Sequence, residues 1–305
     1  MSADVSATSA NMLEWLSLSV DPIRFAAQLG FPTLDDWQKN LLLLPKDKNR
    51  VIIAAGRQVG KTECVSIMAA FEAVTRPNSL IICIAASLRQ SHEMMLRIKN
   101  HLAKLPIQAT QDAALSTTLS NKSRILALPS HESTIRGFAR CSLLIIDEMA
   151  HVDPGLYKAT RAFLATVPDS RLILLSTPHG SRGAFYEAWQ NQDEDWTRIR
   201  VTTEDVSRET GRISAEFLRQ ERIALGEEWY KMEYLAEFTD TNEWAVFPRE
   251  LVMKAIDPSL EAYTFDLEDD VEPFSGDDDD DEEEEIKPRY HDGKMFNFDG
   301  FVGDD

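Results

Sequence analysis

The chain of 305 residues has no apolar run approaching the roughly 20 residues needed to cross a bilayer. Its opening, MSADVSATSA, has neither a basic stretch nor an apolar core, so no secretory leader is expected. Cysteine is scarce. Cys64, Cys83 and Cys141 are odd in number, far apart and without metal-ligand spacing, which excludes a disulfide framework. Buried thiols in a reducing compartment are the expectation, since two of the three sit in apolar runs. There is no internal repeat. A basic excess is missing as well, because the net charge is -19. That deficit is local: 18 of the 51 acids but only 3 of the 32 bases lie between Thr264 and Asp305. The remaining 33 acids and 29 bases leave residues 1–263 near balance, so a local cationic track on the body is not excluded.

What is present is 43% apolar residues, enough for a sizeable core. After short helices over residues 11–45, apolar runs alternate with helical patterns. Strands are expected at 51–55, 80–85, 124–128, 142–147 and 171–176. Helices are expected at 61–75, 87–104 and about 155–166. A helical stretch at 214–238 is broken at Gly226. The runs are continuously apolar rather than alternating, as in strands buried on both faces. Strands separated by helices imply a three-layer α/β fold with a mostly parallel central sheet. From about Asp257 the character changes. Nine consecutive acids, Asp277 to Glu285, predict a disordered linker over 257–288. Residues 289–305 then read as the first hairpin of a further domain.

The chemistry concentrates at three strand ends. Residues 51–62, VIIAAGRQVGKT, carry the phosphate-loop pattern with Ala55 in place of the first glycine. Backbone N–H groups of Gly56, Arg57, Gln58, Val59 and Gly60, at a helix N-terminus, suit phosphate oxygens. Lys61 suits the β- and γ-phosphates of ATP, and the Thr62 hydroxyl suits Mg²⁺. An ordinary strand-turn-helix is the bland alternative. In CSLLIIDEMAHV, Asp147 ends an apolar strand and is placed to hold Mg²⁺, with Glu148 beside it to polarise water. Two acids there could instead cap the next helix. In LLSTPHG, the end of a strand carries Ser176, Thr177 and Pro178, beside the γ-phosphate if the three loops converge. Upstream, Trp37-Gln38 offers an amide suited to the adenine edge, or simply a surface Gln beside a core Trp. The histidines are scattered and none is given a catalytic role; His151 and His179 fall near the site as local hydrogen-bonders.

Taken in order, Trp37-Gln38, GRQVGKT, AASLRQS, STIRGFARCSLLIIDEMAHV, LLSTPHGSRGAFYEAW and LGEEWYKMEYLAEFTDTNEWAVFP resemble the large terminase subunit of tailed viruses, over about residues 30–250. The resemblance implies a RecA-like P-loop ATPase of the ASCE type over 46–256, behind an N-terminal helical lead-in over 1–45. It implies ATP hydrolysis with Mg²⁺, powering translocation of double-stranded DNA into a procapsid. A homo-oligomeric ring at the portal vertex in the host cytoplasm would then act with the portal protein and the small terminase subunit, with no membrane. It makes Arg57 a finger on the γ-phosphate in cis, worth roughly 10³ to 10⁵ in rate, although Arg57 could simply pair with a nearby acid. Ser176, Thr177 and Pro178 would couple hydrolysis to movement, and AASLRQS and Arg136 would link nucleotide to DNA. Family members continue into a two-metal nuclease domain. Here Asp304 or Asp305 could be its first carboxylate, so DNA cleavage is not expected of this chain alone. A helicase-like translocase and a nucleotide-binding scaffold without turnover remain alternatives. The acidic run is either a solvated tether or a competitor of DNA for a basic surface.

Overall fold

The computed structural model describes residues 15–130 and 137–239, with the backbone of 290–291 and 294–295. Ile135, Arg136, the linker and both Asp304 and Asp305 lie outside the described residues. By contacts the chain divides into Met1–Ala255 and Ile256–Asp305.

The first unit is built on an eight-stranded sheet. Helices α1 (Pro22–Gln28) and α2 (Asp36–Leu42) lead into β1 (Arg50–Ala55), α3 (Lys61–Thr75), β2 (Leu80–Ala85) and α4 (Leu88–Leu102). A hairpin of β3 (Ala109–Ala113) and β4 (Ser116–Leu119) precedes β5 (Arg124–Pro129) and β6 (Leu143–Asp147). Then come α5 (Pro154–Thr160), β7 (Arg171–Ser176), α6 (Gly183–Gln190), β8 (Thr197–Val201), α7 (Thr203–Thr210), α8 (Ala215–Leu225) and α9 (Glu227–Leu235). The strand order is β3-β4-β5-β2-β6-β7-β1-β8, parallel from β5 to β8 and antiparallel at the β3-β4-β5 edge. In the second unit, β9 (Tyr290–His291) pairs antiparallel with β10 (Lys294–Met295).

The continuous apolar runs are explained by two-sided burial. Along β1, Val51 and Ile53 join one core with Phe25, Leu29, Leu41, Ile67 and Met95, whereas Ile52 and Ala54 join the other with Leu156, Phe163 and Phe185. β2, β6 and β7 alternate in the same way. The helix expected at about 155–166 is α5 followed by a 3₁₀ turn, Arg161–Leu164. Asp153 caps it at the Leu156 N–H (3.0 Å) and Pro154 opens it, which moves its start one residue earlier. All three cysteines are buried free thiols. Burial pushes the Cys141 thiol up to about 12 and those of Cys64 and Cys83 higher still.

The lead-in is not an appendage. Phe25 and Leu29 are fully buried, and Phe25 meets Phe71 of α3 edge to face, with ring centroids 5.1 Å apart. Phe25→Ala should therefore cost about 3–5 kcal/mol. Denaturant unfolding should still show one transition for the first unit. A separate early transition would show that the lead-in folds independently.

Candidate functional site

Sheet order places the chemistry. β6, β7 and β1 are consecutive neighbours, so the loops after Asp147, Ser176 and Ala55 open at one edge. The register aligns them: Ala54 pairs with Ser176, and Asp147 with Leu175.

The loop after β1 turns through two left-handed residues, Gln58 (φ 59) and Gly60 (φ 88), into α3. Successive N–H groups in such a turn form a concave anion seat. The left-handed backbone at Gly60 favours glycine, and a Cβ there would also press on the end of the Gln38 side chain, 2.9 Å from Nε2. Gly56 is constrained from the other side. A Cβ there would collide with Thr203 Oγ1 and lie 2.8 Å from the Tyr234 carbonyl. Val59 is fully buried and anchors the loop in the core beneath it.

Lys61 Nζ lies 3.2 Å from Glu148 and 3.1 Å from the Thr177 hydroxyl, joining all three loops. Thr62 Oγ1 donates to Asp147 Oδ2 at 2.9 Å. Burial, reinforced by the neighbouring Glu148, raises the Asp147 carboxyl to about 6, against the opposing pull of Lys61 and Thr62. Glu148 itself has φ 52, a left-handed backbone that costs a non-glycine residue roughly 1 kcal/mol or more. The Glu148 N–H is tied to Asp147 Oδ1 at 2.9 Å. The Ser176 hydroxyl accepts from the Ala150 N–H (3.2 Å) and lies 2.7 Å from the Thr177 carbonyl and 3.3 Å from Glu148. It thereby bridges the turns after β6 and β7. The rings of His151 and His179 meet at 4.7 Å over the same two turns. Burial and His179 hold His151 below the usual imidazole range.

Hard oxygens at the foot of an anion seat suit Mg²⁺, and Thr62 with Asp147 are the pair that would hold it. Among the described residues no group of three or more His, Cys, Asp or Glu could hold a metal, so the remaining ligands would come from phosphate and water.

Three sequence-predicted residues, Gln38, Trp37 and Arg57, are engaged with the protein itself. Gln38 is buried, not a surface amide. It is the third residue of a capping box on α2, its Oε1 accepting from the Asp35 N–H at 3.0 Å. Its Nε2 reaches the Gly60 carbonyl at 3.5 Å, so it bears on the phosphate loop directly. Trp37 packs against the core with its indole N–H buried and without an acceptor. Arg57 is forked onto Glu233 of α9, with Nε–Oε2 2.5 Å and Nη2–Oε1 2.9 Å. That hydrogen bond is the largest influence on the guanidinium and raises its pKa.

Glu233 and its neighbours were missed by sequence reading. The Arg57 N–H donates to the Glu233 carbonyl (2.8 Å), the Gly56 N–H to Val201 (2.9 Å), and Thr203 Oγ1 to the Arg57 carbonyl (2.8 Å). β8 and the α7–α9 helices thus hold the main chain of the phosphate loop, which spacing over 176 residues cannot announce.

Residues 52–253 match the family model described as terminase large subunit, T4-like virus type, N-terminal. The ATPase domain of the Thermus phage P74-26 large terminase superposes with TM-score 0.59 at 20% identity, over 71% of this chain and 98% of that one. The large terminase of a second thermophilic bacteriophage, in complex with ADP, gives 0.58 at 15% over 68% of this chain and 54% of that one. The large terminase of bacteriophage HK97 gives 0.56 at 18%, over 68% and 51%. The chain thus spans about half the length of these last two. The α/β fold read from the sequence is the fold of these domains.

Gly56→Ala should destabilise the first unit by about 1–3 kcal/mol through overpacking against Thr203 and Tyr234. An unchanged thermal midpoint would mean that α7–α9 do not bear on the loop.

Proposed function

The chain belongs to the T4-like terminase large-subunit family, and from that premise we propose that it hydrolyses ATP to drive double-stranded DNA into a viral procapsid. The observation that carries the reading is the convergence of Lys61, Glu148 and Thr177 within 3.2 Å, beside the Thr62–Asp147 pair.

In hydrolysis, a water oxygen attacks the γ-phosphorus, the bond to the ADP oxygen breaks, and the water's protons leave with phosphate or through a base. Glu148 is the group in position to orient that water and take its proton. Its carboxylate is held by Lys61, at 3.2 Å. A triphosphate in the loop offers Lys61 a stronger anion, so its ammonium leaves Glu148 and Thr177 for phosphate oxygens. That exchange frees the base and releases the Ser-Thr-Pro turn in one move, a physical route for coupling. Arg57 makes the corresponding exchange, from the Glu233 fork to the γ-phosphate, where its charge stabilises the transferring oxygens. Bound at Thr62 and Asp147, Mg²⁺ would neutralise developing phosphate charge. Gln38 holds the Gly60 turn through its amide, 3.5 Å from the Gly60 carbonyl, and in this reading the same amide meets the adenine edge. Trp37 gives that side an apolar wall.

The same reading makes the working partners double-stranded DNA, held mostly by its phosphates, a portal protein and a small subunit. It sets the chain in a ring of its own copies at the portal vertex in the host cytoplasm. Among the described residues no helix is long and apolar enough to cross a membrane. Asp304 and Asp305 stand as candidate first ligands of a nuclease metal site.

Phosphate release with MgATP, with and without duplex DNA, tests the reading. Glu148→Gln should abolish turnover while nucleotide binding persists. Arg57→Ala should bind ATP within a few-fold of the native chain and lose roughly 10³ or more in rate. Binding without turnover in the native chain, even with portal and small subunit added, would make it a scaffold.

A further inference from the structure

The edge of the sheet opposite the nucleotide carries a feature that hydrolysis does not use. Parallel strands β5, β2 and β6 are neighbours. Their N-terminal ends are entered through turns containing left-handed residues: Lys122 (φ 68) before β5, Asn78 (φ 61) before β2 and Arg140 (φ 61) before β6. Asparagine tolerates that backbone because its short side chain bonds locally. Lysine and arginine gain no such bond, and the conformation costs them roughly 1–2 kcal/mol each. Both side chains are exposed, as is that of Arg124, the first residue of β5. None of the three makes an ion pair among the described residues, whereas most cations of the body do, including Arg76 with Glu72 (3.2 Å) between them. The nearest unpaired carboxylate in the sheet order is Asp169, in the turn before β7.

The turns are stitched into one rigid rim. Asn78 N–H donates to the Asn121 carbonyl (3.1 Å), Arg124 N–H to Ser79 (2.9 Å), and Ser142 N–H to Leu80 (2.8 Å). Two strand spacings, about 10 Å, separate the β5 and β6 ends. Duplex DNA carries a charge every ~1.7 Å of axis, so a fixed row of that length meets several phosphates. The strands themselves are 5 or 6 residues long, so the row lies about 15–20 Å from the nucleotide edge.

We propose that Lys122, Arg124 and Arg140 form a track for the phosphate backbone of double-stranded DNA, on the sheet edge opposite the ATP site. This deepens the DNA-translocation reading and rests on it. Contact with phosphates alone would suit a motor that must accept any sequence.

The test is duplex binding by the full chain, by fluorescence anisotropy across a salt series, for Lys122→Asn/Arg124→Gln/Arg140→Asn. Asparagine suits the left-handed backbone, so the thermal midpoint should hold or rise, and DNA-independent ATP turnover should be unchanged. Affinity should fall at least tenfold at low salt. The slope of log affinity against log salt should shrink by about 2.7, at roughly 0.9 per lost phosphate contact. A charge-matched control, Arg24→Gln/Lys158→Gln/Arg208→Gln, should lose much less. Equal losses in both variants would reduce the effect to net charge and overturn the track. So would an unchanged slope in the edge variant while the native chain binds duplex. If the native chain shows no salt-dependent duplex binding, both the track and the DNA-translocation reading fall.

Discussion

The Lys61 ammonium is the contact on which the rest of the nucleotide edge depends. It sits on the helix after β1 but bonds to groups from the turns after β6 and β7. Those turns are close because their strands are neighbours in the sheet, and the strands pair in register because their apolar runs are buried on both faces. A single cation thus ties the loop to two other segments at once.

The phosphate loop has a second neighbour. The α7–α9 helices bond to Arg57 through the Glu233 carbonyl and the Thr203 hydroxyl and leave no room for a side chain at position 56. These helices have a small apolar core of their own, in which Tyr230 and Tyr234 stack at 5.1 Å with their hydroxyls bonded to Glu204 and Glu221. They can therefore respond to the loop as a body. The Arg57–Glu233 fork joins that body to the loop after β1 through a side chain as well.

Much of this was legible in the sequence, for reasons that can be stated. The doubly buried strands announced themselves as unbroken apolar runs, and the three chemical loops followed as their C-terminal ends. The β3-β4 hairpin did not, because ATQDA is polar and exposed along its whole length and its turn lacks glycine. β8, TRIRV, was hidden by two arginines. In the fold their donors are satisfied locally: Arg198 donates to the Trp189 carbonyl (2.7 Å), and Arg200 to the Leu235 carbonyl (2.8 Å) and the Glu237 carboxylate (2.8 Å). At the site, residue types and spacing singled out Lys61, Thr62, Asp147 and Glu148, which the fold brings together. They could not supply Glu233, a lone acid in a helix, or reveal that Gln38 faces inward, since both facts depend on which distant segments meet.

The position of β1 in the sheet also bears on how the chain is made. β1 carries the loop on which everything else is arranged, yet its sheet partners are β7 and β8, more than 100 residues later: Val51 pairs with Ile173 and with Thr197. At about 5–20 residues per second, this strand leaves the ribosome on the order of ten seconds before either partner exists. Until then its apolar faces have only the lead-in helices and the elements from α3 to β6 to lie against. The interval of greatest aggregation risk is therefore set by strand order rather than by composition, and Phe25 and Leu29, already synthesised, are the residues available to shelter it.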